Sequence, residues 1–82
     1  MSEAQFKNRD RLIEVGLIIA TLRKLRGMSQ EQLAEKAGIS RSFLSAIEAP
    51  NIVRSFSLEI LFNIADALNT TASELLDVKL PK

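Results

Sequence analysis

Any chemistry in this chain is done without cysteine or histidine, since neither occurs among its 82 residues. That removes disulfides and thiolate metal sites, the commonest metal ligand and the usual general base. Neither a nucleophile nor a metal site is visible, so an enzyme, a metal and a cofactor are not expected. What remains is hydrogen bonding and charge, and the informative stretch is SQEQLAEKAGISRSFLSAIE, Ser29 to Glu48. Two short helix-like pieces meet there at Ala37-Gly38, and Ser40, Arg41, Ser42 and Phe43 follow the join.

The spacing inside this corner is demanding. Ser29 and Gln32 form a capping box of the S-x-x-Q kind. Leu33 and Ala34 face inward, and the small alanine lets the next helix pass close by. Gly38 supplies the turn, Ile39 plugs its inside, and Ser40 caps a helix running to about Glu48. Leu44 and Ile47 hold that helix onto the body. The pattern is a helix-turn-helix, whose second helix projects to enter a major groove.

The elements that must position this corner also read as helix, with no strand-like alternation and with proline only at Pro50 and Pro81. A first helix is expected to start between Glu3 and Asp10, with Ser2 and Gln5 as a capping box at its earliest start, and to end at Arg26 before Gly27. The link Ala49 to Phe56 contains the turn formers Pro50 and Asn51. Ser57 caps a helix from Leu58 to Leu68 that Asn69 closes, and Thr71 with Glu74 opens a short last helix. The expected fold is all-α, a compact five-helix bundle. Its core is supplied by Leu58, Leu61, Ile64, Ala65, Leu68, Leu75 and Leu76, with Ile60 and Phe62 widening the stripe.

Net charge is +1, but residues 1–41 hold eight Lys/Arg against five Asp/Glu, and residues 42–78 one against five. A basic front and an acidic back suit a module that docks on an anion in one orientation. The N-terminus, MSEAQFKNRDR, is not a signal peptide, and the apolar stretch Leu12 to Leu25 is too short to span a bilayer. A soluble, cytoplasmic protein is expected.

The run GMSQEQLAEKAGISRSFLSAIE resembles the phage repressor/Cro-like helix-turn-helix (XRE) family, and the likeness continues through SLEILFNIADAL and TASELL. It implies a lambda-repressor-like DNA-binding domain over residues 15–77, preceded by an extension of residues 1–14 that runs into the first helix and followed by a tail of residues 78–82. It also implies residue roles. Gln30, with the helix N-terminus behind it, would meet a phosphate. Arg41, Ser42 and Ala46 match base-reading positions: Arg41 would grip guanine, Ser42 would read less strictly, and Ala46 would face a thymine methyl. Phe43 and Ser45 lie near the backbone track, and Ser40, Asn51 and Arg54 complete the DNA-facing set, with Ser40 chiefly a cap. Arg23 and Glu48 match an arginine–glutamate pair that fixes the recognition helix.

The expected function is therefore a sequence-specific, repressor-like transcription regulator acting on double-stranded DNA. The alternative is a protein-interaction module of the same fold, antitoxin-like or a complex subunit, with weak DNA affinity. It arises because the link EAPNIVRSFSL is about two residues longer than the family's and has Arg54 as its sole cation. No small-molecule effector domain is expected. A homodimer is expected, because two half-sites about 34 Å apart supply most of the specificity of such readers. At about 100° per residue, Ile13, Leu17 and Ala20 lie opposite a core stripe of Leu12, Val15, Ile19 and Leu22. With Ile18 and Leu25 they form the expected interface, unless Phe6 or Val78 and Leu80 cover that face.

Overall fold

The computed structural model describes residues 8–77. Five helices follow in order: α1 Arg9–Leu25, α2 Gln30–Ala37, α3 Arg41–Glu48, α4 Leu58–Ala67 and α5 Ala72–Leu75. The starts of α2 to α5 have one cause. Ser29, Ser40, Ser57 and Thr71 each sit in extended backbone and accept the N–H three residues on, covering a donor that the helix leaves unpaired. At Ser29 the box is reciprocal, since Gln32 Oε1 accepts from the Ser29 N–H at 2.8 Å. At Thr71 the hydroxyl half forms, at 3.2 Å from the Glu74 N–H.

Three helix ends also share a device. Gly27, Gly38 and Asn69 have φ of 71°, 74° and 57°. The residue after each donates back five positions, Met28 to Arg23, Ile39 to Ala34 and Thr70 to Ala65. Left-handed backbone at that point is what turns the chain off the helix and satisfies its last carbonyls. The expected box at Ser2 and Gln5, an earlier start of α1 and the packing of Phe6, Val78 and Leu80 lie outside the described residues.

The core joins Val15 and Ile19 of α1, Leu33, Ala34 and Ala37 of α2, and Leu44 and Ile47 of α3. Leu61, Ile64, Ala65 and Leu68 come from α4 and its end, and Leu75 from α5. The Arg26 Nε donates to the Leu68 carbonyl at 2.8 Å, tying the end of α1 to the end of α4. Among the described residues no helix is long and apolar enough to cross a membrane.

Two expectations about burial need correction. Leu58 is 65% exposed, Phe62 52% and Leu76 49%, so they are surface, not core. Leu58 stands in the first turn of α4, next to a loop that is exposed from Pro50 to Ser55, and it is Phe56 that packs against the core there. On α1 the buried face is Val15, Gly16, Ile19, Ala20 and Arg23. Ala20, expected in a dimer interface, is buried inside the domain, and Ile18 packs against the core.

The reason for that rotation is Gly16. A Cβ built there would lie 1.9 Å from the Ile47 carbonyl oxygen. The backbones of α1 and α3 therefore touch where a glycine leaves room, and this contact turns α1 so that Ala20 faces in.

Candidate nucleic-acid interface

The recognition corner is built from below. Leu44 and Ile47 are buried under α3, so Arg41 and Ser42 face outward, while Phe43, Ser45 and Ala46 are half-buried along its flanks. Ser40 Oγ accepts the Phe43 N–H at 3.0 Å and lies 3.3 Å from Ser42 Oγ. Ser40 is thus engaged as the cap, and the hydroxyl of Ser42 sits beside it.

The far end of α3 is pinned by a buried polar network. Arg23 Nε donates to Glu48 Oε2 at 2.9 Å and Arg23 Nη2 to Oε1 at 3.0 Å, a two-pronged pair. The two side chains are 10% and 5% exposed. Arg23 Nη1 donates to the Met28 carbonyl at 2.7 Å. Gln30 Nε2 then donates to Glu48 Oε1 at 3.0 Å. A carboxylate only accepts, so this contact orients the Gln30 amide with its nitrogen toward Glu48 and leaves a second N–H on that nitrogen. One glutamate therefore links α1, the first residue of α2 and the last of α3. The pairing of Glu48 with Gln30 had no signal in the spacing of the sequence.

The loop after α3 is held differently. Asn51 and Arg54 are exposed. The Arg54 guanidinium carbon stands 4.8 Å from the centre of the Phe43 ring, over its face. Ile39, Ser40, Ser42, Phe43, Ala46 and Arg54 together line an open hollow of about 510 Å³. The fold thus brings Ser40, Ser42, Phe43, Ala46 and Arg54 onto one concave surface. Arg41, Ser45, Gln30 and Asn51 are not part of its lining.

Gly16 is the positioning residue that sequence reasoning missed. A glycine within a helix costs about 1 kcal/mol relative to alanine, and that unexplained cost was the signal available.

A first helix laid across the base of a second, with a glycine turn between them and the second helix presented to solvent, is the geometry of a helix-turn-helix domain. Residues 19–75 match the helix-turn-helix family, and the chain belongs to it. It is 38% identical over 65 residues to the HTH-type transcriptional regulator SinR of Bacillus subtilis (strain 168), a match over 79% of this chain and 58% of that protein. The chain therefore spans less than two thirds of that relative. Among solved structures it is similar to the restriction-modification controller protein C.AhdI from Aeromonas hydrophila. The identity there is 34% and the TM-score 0.73, over 78% of this chain and 94% of that one. It is also similar to SinR in complex with DNA, at 38% identity and TM-score 0.71, over 77% of this chain and 98% of that one.

Proposed function

We propose that the protein is a sequence-specific regulator of transcription that places α3 in the major groove of double-stranded DNA. One observation carries the reading: α3 is presented outward with Arg41 and Ser42 exposed, and is locked from beneath by Leu44, Ile47 and the Arg23–Glu48–Gln30 network. A reader needs that rigidity, because a bidentate contact to guanine tolerates little error in position. SinR, solved with DNA, and C.AhdI, a controller protein, support the reading by likeness.

In this proposal Arg41 reads guanine, Ser42 a less strict position, and Ala46 meets a thymine methyl. Gln30, Ser45, Asn51 and Arg54 meet the backbone, and residues 15–77 form the binding unit. The protein works in the cytoplasm and catalyses nothing. Selection from a random-sequence DNA pool, followed by an electrophoretic shift on the recovered duplex, tests it. A recovered motif and a retarded band are expected; a pool that never enriches would overturn the reading.

The protein acts as a homodimer in the same proposal, with the exposed Leu17 and Leu25 of α1 and the half-buried Ile13 at the contact. Leu17 is 43% exposed and Leu25 72%, which a partner subunit would cover. In sedimentation, Leu17→Glu is expected to shift the unmodified dimer toward monomer. Equal behaviour of the two proteins would refute this interface. A second reading, a protein-interaction module, draws on the exposed Leu58, Phe62 and Leu76.

A further inference from the structure

We propose that Phe43 is a positioning residue, whose ring holds Arg54 at the edge of α3 so that the guanidinium meets a phosphate of the bound duplex. The inference rests on the DNA-binding reading above and adds a role that the recognition-helix pattern does not contain.

Arg54 is the single cation between Arg41 and Lys79. It sits in a loop that is exposed from Pro50 to Ser55, where the described backbone bond is the long one from the Ile52 N–H to the Ala49 carbonyl, 3.4 Å. A flexible side chain on such a loop would sweep a wide volume. Its guanidinium carbon lies 4.8 Å from the Phe43 ring centre, a contact that biases the side chain toward the edge of α3. The ring is half-buried and packs against the hydrophobic core. Core, ring and guanidinium form a stack, and the loop is anchored to α3 through it.

The ring attracts the charge and stands in for no hydrogen-bond acceptor. The guanidinium carries five N–H donors, all in its plane. Among the described residues no hydrogen bond or carboxylate engages Arg54. The group also forms one wall of the hollow beside Ser42 and Ala46. A planar cation with free edge donors, next to the helix that enters the groove, suits the phosphate that flanks the groove. The same contact occupies one face of the Phe43 ring.

The experiment measures affinity against salt concentration for the unmodified protein, Arg54→Ala, Phe43→Leu, Phe43→Tyr and the double variant Phe43→Leu/Arg54→Ala. The probe is a duplex selected by the unmodified protein, with a second duplex of unrelated sequence. Each phosphate contact contributes about 0.9 to the slope of log affinity against log salt. Arg54→Ala and Phe43→Leu are each expected to lower the slope by up to about that amount on both duplexes. Phe43→Leu is expected to weaken binding about two- to fivefold, the range of an exposed cation–π contact. Phe43→Tyr keeps the ring and should restore the slope, and the double variant should lose little beyond Arg54→Ala alone.

Circular dichroism confirms that each variant is folded at the assay temperature, and Phe43→Tyr against Arg54→Ala decides the matter should Phe43→Leu unfold. A slope unchanged in Arg54→Ala overturns the phosphate contact. A slope unchanged in folded Phe43→Leu, or additive losses in the double variant, overturns the positioning role. A Phe43→Tyr slope as low as that of Arg54→Ala also overturns the positioning role. If the unmodified protein binds neither duplex, the DNA-binding reading itself fails and takes this one with it.

Discussion

The corner from Ser29 to Glu48 and the loop from Ala49 to Ser57 border the same surface but are held by opposite means. In the corner each turn and cap has its partner: Ser29 and Ser40 cap, Gly38 turns, and Glu48 accepts from both Arg23 and Gln30. Before Phe56 packs on the core and Ser57 caps α4, the loop shows one long backbone bond and a cation resting on a ring. The corner is thus tied to the stability of the whole domain, whereas the exposed part of the loop, Pro50 to Ser55, is expected to change with small effect on folding. In the proposed function, readout geometry would belong to the first and adjustable backbone affinity to the second.

The largest expected effect breaks the corner at its far end. Glu48→Ala leaves Arg23 buried without its carboxylate and removes the partner that orients Gln30. Losing one member of a buried pair costs about 3–5 kcal/mol, against roughly 0–1 kcal/mol for a surface pair. Urea unfolding measures it, and a loss in the surface range would mean that the network does not anchor α3.

Next comes Gly16→Ala. Helix propensity alone would make alanine more stable by about 1 kcal/mol. The Ile47 carbonyl, 1.9 Å from the new Cβ, predicts the opposite sign. Forcing α1 and α3 apart should cost about 1–3 kcal/mol or more, read from the same unfolding curves. A stabilised protein would contradict the close approach.

The smallest effect lies in the loop. Ile52 and Val53 are 46% and 38% exposed. Ile52→Ser with Val53→Ser should change stability by about 0.5 kcal/mol or less, the range of surface substitutions. A large loss in thermal unfolding would mean that the loop is part of the packed body, and the contrast between the two regions would collapse.

How much of this was legible in the sequence follows the same division. Caps and left-handed turns are local, so Ser29, Ser40, Ser57, Gly27, Gly38 and Asn69 could be placed from neighbouring residues alone. The Arg23–Glu48 pair, 25 residues apart, came through family resemblance, since nothing local links the two. Gly16 was missed because a backbone contact between α1 and α3 is a tertiary fact. Its omission also misplaced Ala20 and Ile18, since counting at about 100° per residue gives the width of an apolar stripe but not which edge a neighbouring helix selects. Leu58, Phe62 and Leu76 satisfied the helical spacing and still lie outside, because spacing does not say where the neighbouring elements stop. The stack of Arg54 on Phe43 carried no sequence signal at all.

The central claim is that α3 reads bases through Arg41. The direct measurement is binding of Arg41→Ala and the unmodified protein to a panel of single-base variants of the selected duplex. The unmodified protein should discriminate at one guanine by about 1–3 kcal/mol, and Arg41→Ala should lose that preference while keeping the others. If Arg41→Ala instead weakens every variant equally, Arg41 is a phosphate contact and the assignment of base readout to it is wrong.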